Sequence, residues 1–290
     1  MAGPTVAGRW SGNTFACVAM VLGSLGYVVN DALIRASTDE GLDVYQALFL
    51  RTAVMTVALG MITRRRGGLT RADLRVRALG LRVAAEVTSG ALFFAAIVQI
   101  EFANAQTILM LVPFAVTAIA ALRLGERVGP ALWASVGIGF VGVLAVVQPA
   151  TDGFSWWSLV VVASALSLVV RELATRAIPT SISFLGVATL TAAGLTILTG
   201  VISIFTGWGE IRGSAIVLLA IACGCLSIGY WGTIQTVRVG ELSVSAPFRY
   251  TAVLGAVVAG MAFFDETPNA LTLVGCTLIV TAGVAAVRIE

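Results

Sequence analysis

Ten stretches of about twenty mainly apolar residues follow one another along this chain, and an α-helix of that length is what it takes to cross the roughly 30 Å hydrocarbon core of a bilayer. They run approximately 12 to 34, 44 to 62, 80 to 100, 104 to 122, 130 to 148, 156 to 174, 182 to 206, 214 to 235, 243 to 263 and 270 to 288. Inside lipid every backbone N–H and C=O must be satisfied within the segment, so runs this long are expected to be helical. A soluble surface is excluded by composition: only 11% of residues are charged, against about 25% in ordinary soluble domains. The first span follows 11 residues and continues for about 20, longer than the apolar stretch of a cleavable signal peptide, so it is expected to remain as a helix.

All 18 basic residues are Arg, and there is no His. Six of them, Arg64, Arg65, Arg66, Arg71, Arg75 and Arg77, fill the gap between spans two and three. By the positive-inside rule that loop is cytoplasmic. An even number of spans then puts both termini in the cytoplasm, the expected arrangement for a multi-pass protein of a bacterial-type cytoplasmic (inner) membrane. The opposite loops carry Asp39, Glu40, Asp43, Asp152, Glu210, Asp265 and Glu266, with Arg35 and Arg212 as exceptions. Basic stripes interleaved with aromatics, the mark of a nucleic-acid partner, are missing. Without His, a zinc-peptidase or Ser/His hydrolase site is excluded. Cys17, Cys223, Cys225 and Cys276 all lie in apolar spans without metal-ligand spacing. The expectation is a non-enzymatic protein with no cofactor and no metal.

Slid on itself by 141 residues, the chain aligns Val28-Val29-Asn30-Asp31-Ala32-Leu33-Ile34-Arg35-Ala36 with Val169-Val170-Arg171-Glu172-Leu173-Ala174-Thr175-Arg176-Ala177. At an offset of 140, Glu101 meets Glu241 and Glu126 meets Glu266. Each half holds five spans, an odd number, so the second copy would enter the membrane inverted. The expected fold is therefore an all-α integral membrane protein of ten transmembrane helices in two inverted five-helix repeats, residues 1–149 and 150–290. Such a repeat places a substrate site near the midplane and allows alternating access. Chance similarity between apolar helices is the competing explanation of the alignment.

Two further patterns carry a resemblance. In the first half Asn104-Ala105-Gln106 leads to Pro113 and closes on Leu124-Gly125-Glu126; in the second, Ser243-Val244-Ser245-Ala246-Pro247 closes on Phe264-Asp265-Glu266. In these residues the chain resembles the drug/metabolite transporter superfamily, its ten-helix EamA-type members, and within them the YddG group of bacterial amino-acid exporters. The resemblance implies export of a small molecule, an aromatic or neutral amino acid, across the lipid bilayer. The alternatives are another metabolite, a drug-like cation or nucleotide derivative, and, from a different class, an intramembrane lipid-modifying enzyme. The two prolines stand at different positions in their spans, so a hinge role shared by Pro113 and Pro247 is an expectation the pattern only half supports.

An ionisable group in hydrocarbon is expected to face a cavity or a partner. Glu86 is four residues beyond Arg82, on one helix face, so it is either half of a pair at the membrane edge or a cavity carboxylate. Arg249, about two turns into span nine beside Tyr250, is the candidate anchor for a substrate carboxylate; the alternative is a snorkelling side chain or a pair with Glu241. Asn30-Asp31 and Arg171-Glu172, at opposite ends of spans one and six, are candidate gates or ordinary helix-end bridges. The aromatic pairs Phe93-Phe94 and Tyr230-Trp231 are 137 residues apart and are candidate walls for an apolar side chain, or lipid-facing packing. Gln99, Tyr27 and Tyr250 add hydrogen-bonding groups. Gly137-Ile138-Gly139-Phe140-Val141-Gly142 matches a dinucleotide string but sits inside an apolar span, where close helix packing explains it. Spans five and ten, nearly free of charge, are expected to support the fold or a homodimer interface. No carboxylate stands convincingly at mid-membrane in this reading, which favours facilitated or weakly coupled transport.

Overall fold

The computed structural model describes residues 6–66, 68–70, 73–123, 129–148, 155–179, 181–239 and 246–289, and among them it is entirely helical, with no strand. The α-helices are α1 (Val6–Asp39), α2 (Val44–Arg65), α3 (Arg77–Ile97), α4 (Phe102–Leu109), α5 (Leu111–Arg123), α6 (Pro130–Val147), α7 (Trp156–Arg176), α8 (Phe184–Thr206), α9 (Gly213–Val239), α10 (Thr251–Phe264) and α11 (Ala270–Ile289). Short 3-10 turns occupy Asp73–Arg75 and Ala246–Tyr250. Among the described residues six helices are long and apolar enough to cross a membrane, and four shorter apolar segments, Phe102–Val116, Trp133–Val147, Phe248–Phe264 and Ala270–Ala285, complete the ten expected spans.

Proline accounts for two departures from the expected boundaries. Span four is broken at Met110, between α4 and α5. Pro113 has no N–H to offer the carbonyl of Leu109, so the helix cannot run on, and the Met110 N–H turns back to Thr107 O at 3.0 Å in a tighter bond. Restarting at Leu111 places Pro113 in the first turn of α5, where a missing N–H costs nothing. In span nine the residues described first, Ala246–Tyr250, form a 3-10 turn that holds Pro247, and α10 begins only at Thr251. Arg249 is therefore ahead of the α-helix and not two turns into it. Gln99 is also displaced, since α3 ends at Ile97 and Gln99 is exposed in the following turn. Glu126, Glu241, Arg71 and Asp152 lie outside the described residues.

The chain divides into two units. The first takes residues 1–32, 102–154 and 221–290, and so holds most of α1, α4 to α6, most of α9, α10 and α11. Its helices meet through glycine. A Cβ on Gly26 of α1 would stand 2.8 Å from Cys225 O and 2.9 Å from Gly229 N on α9. Two glycines of the Gly137–Gly142 string make close helix contacts, a Cβ on Gly139 striking the Phe114 ring at 2.6 Å and one on Gly142 standing 2.9 Å from Gly275 O on α11, whereas Gly137 faces open space. Within this unit both carboxylate oxygens of Glu266 accept the Phe102 N–H that opens α4, at 2.8 and 2.7 Å. A negative charge at a helix N-terminus is stabilised by the dipole and by an otherwise orphaned donor. Glu266→Ala should lower stability by about 1 kcal/mol, read as a lower thermal midpoint of the detergent-solubilised protein.

The second unit takes residues 33–101 and 155–220, with α2 packed on α8 and α3 packed on α7 and α8. Hydroxyl pairs join α2 to α8, Thr56 with Thr196 at 3.0 Å and Thr63 with Thr189 at 2.8 Å. Small hydroxyls let helices approach while satisfying one another without water. One end of the unit is fastened by reciprocal bonds. Gln46 Nε2 donates to Gly209 O at 3.2 Å, and the Gly209 N–H donates to Gln46 Oε1 at 2.9 Å. Asp43 caps α2 by accepting from Tyr45 N, and its carboxylate also receives Thr206 Oγ1 at 2.9 Å.

Candidate functional site

In the second unit, two charged pairs foreseen separately form one cluster. Glu86 on α3 receives Arg82 Nη2 from one turn earlier at 3.2 Å and Arg171 Nη1 from α7 at 2.9 Å. Arg171 also grips its neighbour Glu172, and Arg82 Nη1 donates to Thr191 Oγ1 on α8 at 2.7 Å. Two guanidinium and two carboxylate groups therefore neutralise each other where three helices meet, which is how a bundle tolerates charge in an apolar setting. The Arg82 contact to Glu86 Oε2 is an ion pair without good hydrogen-bond alignment. On the same α3 face one turn on, Ser89 and Ser164 of α7 share a hydrogen bond of 2.8 Å.

Further along α3, Phe93 and Phe94 are both buried and meet edge to face, with centroids 5.3 Å apart. Arg51 of α2 lies with its guanidinium 5.4 Å from the Phe94 ring centre and only 5% exposed. Cation–π contact of this kind strengthens as water is removed. Arg51 was missed in the sequence reading. The signal was there, a lone Arg in the middle of the apolar run 44–62.

The first unit holds the remaining candidates. Asp31 on α1 accepts Asn30 Nδ2 on one oxygen and Gln106 Nε2 of α4 on the other, both at 2.8 Å. Asn30 and Gln106 are buried. Tyr230 meets Tyr27 edge to face at 5.8 Å, whereas Trp231, 43% exposed, pairs with the exposed Phe15 at 6.1 Å. Adjacent residues on a helix point about 100° apart, so Tyr230 and Trp231 do not form one wall. Tyr250 is buried, tilted against Phe114 at 6.3 Å, with Gly283 lying so close to its ring that no Cβ would fit. Arg249 beside it is exposed, and among the described residues no carboxylate pairs with it.

Residues 10–148 match the EamA-like transporter family. The chain is 29% identical over 278 residues to the pseudopaline exporter CntI of Pseudomonas aeruginosa, covering 92% of this chain and 94% of that one. It is 30% identical over 193 residues to a riboflavin transporter of Rhizobium johnstonii, covering 64% of this chain and 62% of that protein's length. An S-adenosylmethionine uptake transporter of Rickettsia felis is 22% identical over 59% of this chain and 58% of that one. A solved crystal structure matches 97% of this chain and all of its own with a TM-score of 0.59 at 18% identity, a likeness of fold.

Proposed function

We propose that this chain, whose residues 10–148 match the EamA-like transporter family, is a transporter of that family that exports small amphipathic metabolites bearing a carboxylate, amino acids foremost, by alternating access. Arg249 carries the reading. It is an exposed guanidinium at an interrupted helix start, and no carboxylate among the described residues neutralises it, whereas Arg82 and Arg171 are both paired within the protein. A charge left over in an apolar bundle has to meet water or a ligand, and a guanidinium binds a carboxylate through two parallel bonds.

The alternating-access part rests on an inverted repeat of residues 1–149 and 150–290. Reciprocal contacts support it. Gly60 faces Thr189 while Gly200 faces Phe49, and both Gly60 with Gly200 and Phe49 with Thr189 are 140 apart, the offset found in the sequence. Gly142 faces Gly275 O and Ile279 while Gly275 faces Gly142 O and Val146. Contacts that return with their partners exchanged are the mark of a two-fold relation. The Arg cluster between α2 and α3 supports termini in the cytoplasm of an inner membrane.

A second reading, that the cargo is a larger metabolite and not a free standard amino acid, is favoured by the names of the relatives: riboflavin, pseudopaline and S-adenosylmethionine. Equilibrium binding in detergent separates them, with labelled tryptophan, phenylalanine, riboflavin and S-adenosylmethionine as probes. For a carboxylate anchor, Arg249→Ala should weaken binding by about ten-fold or more, the scale of a charge-assisted hydrogen bond, and Arg249→Lys should restore part of it. Unchanged affinity of Arg249→Ala for every probe that the wild type binds would remove Arg249 from the site.

A further inference from the structure

We propose that the arginine-rich connection between α2 and α3 is a binding site for anionic phospholipid, whose phosphates are held by Arg64, Arg65, Arg66, Arg75 and Arg77. Six arginines stand against one acid, Asp73, between residues 64 and 77. The five named are all exposed, and among the described residues no carboxylate pairs with any of them. Asp73 is turned to its own loop, where it accepts the Thr70 N–H at 2.8 Å while its N–H donates to Thr70 Oγ1 at 3.2 Å. Arg82 and Arg171 of the same unit, by contrast, are both paired.

Helix stability accounts for only part of this charge. Arg64 and Arg65 close α2, where the helix dipole favours a cation. Arg75 and Arg77 stand at the start of α3, where the dipole opposes one. Orientation in the membrane calls for basic residues in this loop, but not for their placement against a dipole. Nor does a loop between such helices need the excess: the connection from α8 to α9 holds one acid and one base, Glu210 and Arg212, 3.7 Å apart.

The apolar neighbours point to lipid as the source of the phosphate. Met61 and Ile62 near the end of α2, Leu74 in the turn before α3 and Leu81 in its second turn are all exposed. A soluble polyanion would leave this apolar rim in water. A phospholipid sets its chains against the rim and its headgroup against the guanidinium groups, which hold phosphate through paired N–H bonds. The loop itself is fastened to the helices, since Leu69 and Val76 pack on the cluster of Leu79, Ile182 and Val187. Its apolar side is thereby spent within the protein, and its charges stay outside. Four to eight basic residues beside a spanning helix are what an anionic leaflet attracts.

Lipid binding here stands apart from the cargo and from Arg249, so it is tested without either. Lipids retained by the detergent-solubilised protein are counted by native mass spectrometry. Phosphatidylglycerol should bind the wild type about ten-fold or more tighter than phosphatidylcholine of the same chains, and should raise its thermal midpoint. Arg65→Gln/Arg66→Gln/Arg75→Gln should lose most of that preference, since each arginine near a headgroup is worth about five-fold. Arg64, Arg71 and Arg77 remain in this variant and keep the loop basic, so its orientation is retained. Arg212→Gln should bind as the wild type does. If circular dichroism shows the triple variant misfolded, salt decides on the wild type: raising NaCl from about 0.1 to 1 M should remove the preference. Equal affinity of the wild type for the two lipids, or a preference that the triple variant or high salt leaves intact, would overturn the proposal. So would glycerol phosphate, the headgroup without chains, if it raised the midpoint as far as phosphatidylglycerol does.

Discussion

Glu86→Ala should be among the most damaging single substitutions in this protein. It removes the carboxylate that Arg82 and Arg171 share and leaves two guanidinium groups facing each other across the α3–α7 contact. Breaking a buried pair by deleting one partner costs about 3 to 5 kcal/mol. The lower end applies here, because these side chains keep 14% to 24% of their exposure and Glu172 still holds Arg171. The expected result is a strong loss of monodisperse protein after detergent extraction, with a much lower thermal midpoint for what survives. Glu86→Gln combined with Arg171→Gln should recover part of it, since the cluster is neutral again although Arg82 and Glu172 lose their ion-pair partners. If Glu86→Ala is as stable as the wild type, the cluster is not what binds α3 to α7.

The second large effect is expected at the α6–α11 seam. Gly142 and Gly275 approach so closely that each would place a Cβ within 3 Å of the other's carbonyl oxygen, 2.9 Å from one side and 2.7 Å from the other. The obstacle is backbone and cannot rotate away. Gly142→Leu should force the helices apart and cost at least the 1 to 3 kcal/mol typical of overpacking, about 3 kcal/mol when backbone must move. Gly137, in the same string, faces open space, so Gly137→Leu should be nearly silent. Thermal unfolding of the two variants side by side reads the contrast. Equal destabilisation by both would mean that the seam is not what the substitution disturbs, since Gly→Leu raises helix propensity at either position.

The sequence showed what hydrophobicity alone can write. Ten apolar runs became ten membrane-length or shorter apolar helical segments, because a span is a local property. The break at Met110 was signalled by Pro113 but lies ahead of it, since the residue that loses its hydrogen bond is a turn before the proline, whereas the 3-10 turn that holds Pro247 runs on past it to Tyr250. Partnerships across helices were less visible. Arg82 and Glu86 could be paired by their four-residue spacing, but Arg171 is 85 residues from Glu86 and nothing in local pattern joins them. Gln106 appeared only as part of a fold motif, although it is the residue that reaches Asp31. Phe94 packs against Arg51, a cation concealed by averaging over an apolar window. Trp231 and Tyr230 separated because neighbours on a helix face different ways.

The central claim is that this chain moves small carboxylate-bearing metabolites across a bilayer, and it is met most directly by flux. Purified protein in liposomes preloaded with unlabelled tryptophan, phenylalanine, riboflavin or S-adenosylmethionine should accumulate the matching labelled compound by counterflow. For at least one carboxylate-bearing member the flux should saturate, and Arg249→Ala should reduce it ten-fold or more, about the loss of one charge-assisted contact. Folded wild-type protein that gives no counterflow with tryptophan, phenylalanine or S-adenosylmethionine, or flux of these that Arg249→Ala leaves intact, would contradict the account.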